Sequence, residues 1–411
     1  MTSGTCPVSH VDPFAGEFLA DPYPTLAGLR EESPVFYSPV LDMWIVTRHA
    51  DIDAIFRDHK TFSATVVQDP IYPPADEARA VLAAGGFRPT PTMSNVDPPK
   101  HTRIRRHNMR SFSARRIAAL EPRIQERAAQ LIDGMLAEPE FDVVAGLTFP
   151  LPAYMIFTFI GFPAEDIELL KGWCGNRTLY SWGRPTVAEQ VEIAGNMVKY
   201  WQYCERFADA RIADPIDDFA SDLARVHRAD PEELSRAEIT GIAYALSFAG
   251  HETTTNLTTN AIRRLLENRA QWEALCADPS LIPNAVEEAL RHDTSVIAWR
   301  RVTTRPVEIG GVSVPEGARL MLSLAAANRD PAQFSDPDVF DVRRDNARDH
   351  LAFGMGIHFC LGAPLARIEL RTVLELLTER APGLELVADQ ELSFPPNISF
   401  RGPRKLLVRN A

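Results

Sequence analysis

Residues 353–362 read FGMGIHFCLG, a thiol set among Gly354, Gly356 and Gly362 just ahead of the apolar helical pattern LGAPLARIELRTVLELLTER. Glycine adopts backbone angles that other residues avoid and lets a bulky flat group approach closely. The free N–H groups and positive dipole end of the following helix favour a thiolate at Cys360. Phe353 opens the loop and can shield one side of it. A thiolate that is presented yet hidden from water suits a soft metal ion. A lone cysteine in a cytosolic chain is more often a small buried hydrophobe, and these three features together argue against that plainer reading.

Three further groups carry chemistry-bearing residues. AGHETT, Ala249–Thr254, lies in the middle of the longest helical pattern of the chain. The apolar turns on either side, IAYALSFAG and LTTNAIRRLL, argue against a solvent-facing polar spot there. Gly250 weakens the helix locally, and Thr253 can bond back to the carbonyl of Ala249, which bends helices. The pattern predicts a bent, opened turn. EALR, Glu288–Arg291, is an i,i+3 acid–base pair that means little alone. Between Lys100 and Arg116 there are seven Lys or Arg and no acid, in a chain of net charge −12. That asymmetry reads either as a solvated helix face or as a site for anions.

The elements that must position these groups are mostly helical. The chain has 411 residues, 45% hydrophobic and 24% charged, enough for a sizeable core. No internal repeat or linker divides it, so 1–411 reads as one domain, with 1–11 as a flexible N-terminal segment. Ser235 and Glu238 have capping-box spacing, which starts a helix running to Glu267 across the middle of the molecule. Strand signals are short: MWIVTR (43–48), VEIGGVSV (307–314) and RLMLSL (319–324). The expected fold is mainly α with a smaller, partly segregated β region.

Composition excludes several classes. The acidic balance argues against nucleic acid as a partner. The start of the chain lacks a signal-peptide pattern. The charge-free stretch 143–164 is interrupted by Pro150 and Pro152, so it reads as a buried turn and core helix rather than a membrane span. Five scattered cysteines without a C-x-x-C pair suit a reducing, cytoplasmic setting.

Cysteine thiolate is one of the axial ligands of haem iron, where it favours O–O cleavage. The stretch from Phe353 through Gly356 and Cys360 to Gly362 resembles the haem loop of the cytochrome P450 family, and the other three groups stand in that family's order. The likeness covers residues 12–408. It implies the P450 fold, with a long helix over haem b (iron protoporphyrin IX). It implies Cys360 as the iron ligand, with Phe353, Gly354 and Ala249 against the haem. It also implies Glu252 and Thr253 as a proton-relaying acid–alcohol pair, and gives His251 no role. His101, Arg105, Arg301 and His358 are implied to meet the haem propionates. Glu288 and Arg291 are implied to form a structural ion network with Arg344 of FDVRR, where the family often has proline in place of Val342.

Further stretches, among them WGRP (182–185), IAWRR (297–301) and NISFRGP (397–403), resemble the haem domains of bacterial self-sufficient cytochromes P450 fused to a phthalate-dioxygenase-reductase-like module. That likeness implies electrons from a reductase with FMN and a 2Fe-2S cluster, fused or separate. Ala411 stands where such a haem domain ends, and no C-x4-C-x2-C cluster run is present. An excised haem domain and a stand-alone relative both fit. The implied reaction inserts one atom of O2 into a small apolar or aromatic substrate, by hydroxylation or O-dealkylation. Implied pocket residues are Ala245, Phe248, Ala249, Thr253, Val296, Ile297 and Ile398. Arg103, Arg106 and Arg110 are expected to face an acidic electron donor. A peroxide-driven peroxygenase is a rival that the retained Glu252–Thr253 pair disfavours; a non-enzymatic haem sensor is the other.

Overall fold

In the computed structural model, residues 7–410 are described. Residues 1–6 of the segment expected to be flexible lie outside the described residues. The part that is described is held: Ser9 N–H donates to the Tyr37 carbonyl at 3.1 Å, and Tyr37 N–H to that of Pro7 at 2.8 Å.

One helix organises the rest. It spans Arg236–Glu267, 32 residues, about 48 Å at 1.5 Å per residue. The Ser235 side chain accepts from the Glu238 N–H, and Glu238 Oε2 accepts from the Ser235 N–H at 2.9 Å. The capping box read from the sequence is therefore formed. This central helix packs against the helices Pro150–Ile160, Val187–Ala213 and Ala363–Arg380. The expected opened turn at Gly250 is absent, because α-helix continues through it without a break. Gly250 serves packing instead: a side-chain carbon there would stand 2.4 Å from Ile156 Cγ1.

The charge-free stretch becomes a buried helix, as expected. Pro150 is its first residue, and Pro152 falls in the same opening turn, where N–H groups have no helical partner to lose.

Among the described residues the strands gather into three small sheets. They are β1 (Val35–Ser38), β2 (Met43–Val46), β3 (Phe62–Ser63), β4 (Glu140–Asp142), β5 (Ala298–Thr303), β6 (Val307–Ile309), β7 (Val312–Val314), β8 (Arg319–Ser323), β9 (Leu384–Leu386) and β10 (Leu407–Asn410). The largest sheet has the order β1-β2-β8-β5-β3. Within it β2 and β8 run parallel, and the other pairs are antiparallel. The 307–314 signal is a hairpin, β6-β7, turning on Gly310 and Gly311 at φ +55° and +82°, the two positive angles that a tight hairpin turn requires. A mainly α body with a smaller β region is what the chain forms.

Glu288 and Arg291 lie on the helix Ile282–His292, and both are fully buried. Arg291 Nε and Nη2 donate to the two Glu288 carboxylate oxygens at 2.6 and 2.7 Å. Arg344 Nε reaches Glu288 Oε1 at 3.3 Å. The remaining guanidinium donors go to the carbonyls of Asn328, Pro337 and Val339 from Arg291, and of Ser335 and Asp336 from Arg344. The irregular stretch from Asn328 to Arg344 is thereby fastened under one helix. Removing the charge of Glu288 would leave Arg291 buried and uncompensated, a loss of about 3–5 kcal/mol. Glu288→Gln is expected to lower the midpoint of chemical or thermal unfolding accordingly. An unchanged midpoint would mean the network contributes nothing.

Candidate active site

The loop ahead of the helix Ala363–Arg380 is shaped by two glycines at positive φ, Gly354 (+65°) and Gly356 (+69°). A side-chain carbon on Gly356 would stand 2.4 Å from the Phe56 carbonyl oxygen. The Cys360 N–H closes the loop on the Phe353 carbonyl at 3.0 Å. Phe353 lies between Phe359 (6.2 Å between ring centroids) and the Arg367 guanidinium, 4.7 Å from its ring.

Cys360 keeps open surface although protein atoms enclose it on all sides. Open surface within such dense surroundings marks a gap at this loop. The sequence argument for a lowered thiol pKa does not hold as stated. Burial dominates and pushes the thiol up; the N–H groups of Gly362 and Ala363 and the charges of Arg105 and Arg367 offset only part of that. A cation next to the sulfur is what this site still needs to favour a thiolate.

On the central helix Ala249 is exposed, while its neighbours Ala245, Phe248, Glu252 and Thr253 keep partial exposure. Most of that helix is otherwise buried. Thr253 Oγ1 donates to the Ala249 carbonyl at 2.8 Å, as expected. Burial pushes Glu252 up to about 7, with Arg404 pulling weakly the other way. His251 faces away, fully buried with its ring 4.5 Å from that of Phe149.

Four basic groups converge without a carboxylate of their own. The rings of His101 and His358 are 4.3 Å apart. Both nitrogens of His101 and Nε2 of His358 are buried without a hydrogen-bond partner. Burial, then Arg105, pushes His101 down to about 4; burial, then Arg301, pushes His358 down to about 3. Burial likewise lowers Arg301 to about 10. The nearest acid, Asp97, already accepts from Ser63 Oγ and the Ala64 N–H. Neutral imidazoles still have an N–H to donate. A flat group bearing two carboxylates and a metal that binds thiolate would satisfy these orphaned donors and the open thiol together, so the residues present fit a haem.

The cytochrome P450 sequence profile matches residues 191–380. The chain is 38% identical to the cytochrome P450 monooxygenase PikC of Streptomyces venezuelae, over 99% of this chain and 95% of that one. Its fold superposes on an intact type IV self-sufficient cytochrome P450 monooxygenase with a TM-score of 0.93 and 42% identity, covering 97% of this chain and 52% of that one. It thus spans about half of that longer protein. It also superposes on cytochrome P450 CREJ in complex with (4-ethylphenyl) dihydrogen phosphate, with a TM-score of 0.93 and 38% identity over 96% and 98% of the two chains.

The chain belongs to the cytochrome P450 family. It has the P450 fold and is a cytochrome P450 monooxygenase, whose cofactor is haem b. Among the described residues of this P450, no helix is long and apolar enough to cross a membrane.

Several expected site residues are placed differently in this P450. Ile297 packs with Phe18, Tyr23 and Leu26 near the start of the chain and lines a shallow crevice with Phe394 and Phe400. Successive residues of extended chain face opposite sides, so Val296 and Ile297 cannot both face the same pocket. Val296 keeps partial exposure and Ile398 is buried with Trp182 and Phe400 in a cluster that Phe248 borders. Arg103 is bound to Glu238 (2.6 Å) and Arg106 to Glu233 (2.5 Å). Those two arginines fasten the start of the central helix rather than stand free. Arg110 alone of the three is exposed without an ion pair among the described residues.

Sequence reasoning missed the support beneath Phe353. Glu287 accepts from Arg367 Nε and Nη2 at 2.8 and 2.9 Å and lies 3.2 Å from His350 Nε2. Burial raises the Glu287 pKa, but hydrogen bonds from His350 and Arg367 outweigh it and hold the group at about 2. An acid lowered by folding stabilises above its unfolded value and loses that contribution as pH falls through its folded value. The stability gap between wild type and Glu287→Gln is therefore expected to narrow as pH falls from 4.5 towards about 2. Urea unfolding at stepped pH measures it, and a gap independent of pH in that window would contradict the assignment.

Proposed function

We propose that this P450 oxidises small aromatic substrates, with Cys360 as the iron ligand, using electrons from a reductase that carries FMN and a 2Fe-2S cluster. The observation that carries the reading is the enclosed yet open Cys360 thiol beside a cluster of carboxylate-free bases. When bound, the haem supplies the activation of O2: one oxygen atom enters the substrate and the other leaves as water, with two electrons and two protons consumed.

The chain's own residues do the rest. His101, His358, Arg105 and Arg301 hold the cofactor by its propionates. Phe353, gripped by Arg367, shields the sulfur from water. Ala249 has no side chain beyond a methyl, so the central helix stays clear of the cofactor's face. Thr253 commits its hydroxyl proton to the Ala249 carbonyl, which turns its oxygen lone pairs towards the gap. There Thr253 Oγ1 accepts from a water and orients it. Glu252 keeps a proton to about pH 7 and can return it to that water. Ala245, Phe248 and Val296 offer a compact apolar wall, the lining that an aromatic ring prefers.

The partner and substrate rest on likeness as well. The self-sufficient neighbour is a longer protein, of which this chain matches half, and the reductase is either fused or separate. The CREJ structure holds an aryl phosphate, which supports an aromatic substrate here. Arg110 remains the basic residue of the expected docking face. A cytoplasmic setting suits the unpaired state of Cys174, Cys204, Cys276 and Cys360.

The test is turnover with NADH, a reductase and an aromatic ether, measured as product formed per NADH. Thr253→Ala is expected to bind substrate normally but to send more NADH to H2O2, since a displacement of about 1 Å in such a chain costs on the order of 100-fold. Thr253→Ser should stay near the parent. In the parent, kcat should change with an apparent pKa near 7, and Glu252→Gln should flatten that change. An alanine variant with the parent's product ratio would remove Thr253 from the proton path.

A further inference from the structure

Arg177 is the first residue of the short helix Arg177–Trp182 and reaches across to the central helix. Its guanidinium carbon lies 4.4 Å from the ring centroid of Tyr244 and 5.2 Å from that of Phe248. Nη2 donates to Gln68 Oε1 at 3.2 Å. Nη1 is sealed from solvent and has no hydrogen-bond partner. Among the described residues no carboxylate lies within ion-pair distance of it. Other buried guanidinium groups have acceptors: Arg291 has Glu288, Arg263 and Arg264 have Asp293, and Arg300 has two backbone carbonyls. Arg177 as a whole is half-buried, but a sealed donor left unpaired is costly, so the two unused N–H groups of Nη1 ask for an acceptor.

The surroundings point to where it comes from. Phe248 keeps partial exposure next to Ala249, which is exposed in the middle of the central helix, and Arg177 lies against the Phe248 ring on that stretch. The opposite wall is fixed. Arg300 donates to the carbonyls of Asp69 (2.5 Å) and Val67 (2.8 Å), on either side of Gln68. Gln68 in turn donates through Nε2 to Ser94 Oγ at 3.2 Å. Arg177 is thus held in place by an aromatic pair on one side and an anchored amide on the other. From Phe248 to Thr253 the helix rises about 7.5 Å, a span that one para-substituted ring covers.

Resting on the reading of this gap as the substrate site, we infer that Arg177 is a specificity-determining residue for an aromatic acid. The anionic substituent, a carboxylate or a phosphate monoester, docks on Arg177 Nη1. The ring lies along Phe248, and the far substituent points towards Thr253. The reaction is then steered to the end of the ring opposite the anion.

The test uses the haem-loaded protein at pH 7 and three probes: 4-ethylbenzoate, 4-ethylphenyl phosphate and neutral 4-ethylphenol. Calorimetry gives affinity, and the haem absorption spectrum reports low-spin to high-spin conversion. Wild type is expected to bind at least one anion about 10- to 100-fold more tightly than the phenol, the range for a hydrogen bond to a charged group. The ratio between the two anions tells carboxylate from phosphate. Arg177→Met should lose that preference while its affinity for 4-ethylphenol stays within about twofold, which also shows that the variant is folded; Arg177→Lys, retaining a charge without the fork, should recover part of the preference. No anion preference in wild type, or an equal loss for all probes in Arg177→Met, would overturn the proposal, as would tight anion binding without a spin shift. Silence of the spectrum to every probe would instead overturn the reading of the gap as the substrate site.

Discussion

Three buried ring nitrogens without partners, on His101 and His358, and an enclosed thiol with open surface impose one constraint on this molecule. Each unsatisfied buried donor or acceptor costs about 1–3 kcal/mol, and burial alone pushes the thiol towards its neutral form. A group with two carboxylates and a thiolate-binding metal would meet both requirements at once. Cofactor binding and stability are therefore linked: whatever fills the gap stabilises the fold by mass action. The remainder of the architecture keeps the gap from collapsing.

Two devices do this. The capped central helix packs closely because Gly250 admits Ile156, and it stays unbroken across the gap. On the thiol side, rigidity comes from buried ion pairs rather than from apolar packing alone. Glu288 fastens Arg291 and Arg344, and Glu287 fastens Arg367 and His350. Neighbouring residues on one helix thus serve two jobs, tying down loops 335–344 and bracing Phe353 next to Cys360. Such pairs bring more specificity than net stability, because desolvation cancels much of the attraction.

The parts of this account that were legible in the sequence have local causes. Ser235 and Glu238 mark a helix start through contacts three residues apart, and Gly354 and Gly356 mark a loop through angles only glycine favours. The short strands were harder. β3 has two residues and β9 three, too few to show a period. The sequence cannot separate Ile297 from pocket residues, because an apolar residue does not say which side of an extended chain it faces. Arg103 and Arg106 looked free because Glu238 and Glu233 lie more than a hundred residues away in sequence. Arg177 carried no signal at all: its meaning is the missing partner of Nη1, which exists only in three dimensions.

The central claim is that the Cys360 sulfur holds the cofactor's iron. The most direct measurement is the absorption spectrum of the reduced, carbon-monoxide-treated protein, taken for wild type and for Cys360→His with haem content determined separately. The account predicts a Soret band at the thiolate-type position in wild type, replaced by an imidazole-type band in the variant at comparable haem content. A wild-type spectrum lacking the thiolate band, or one that the substitution leaves unchanged, would contradict it.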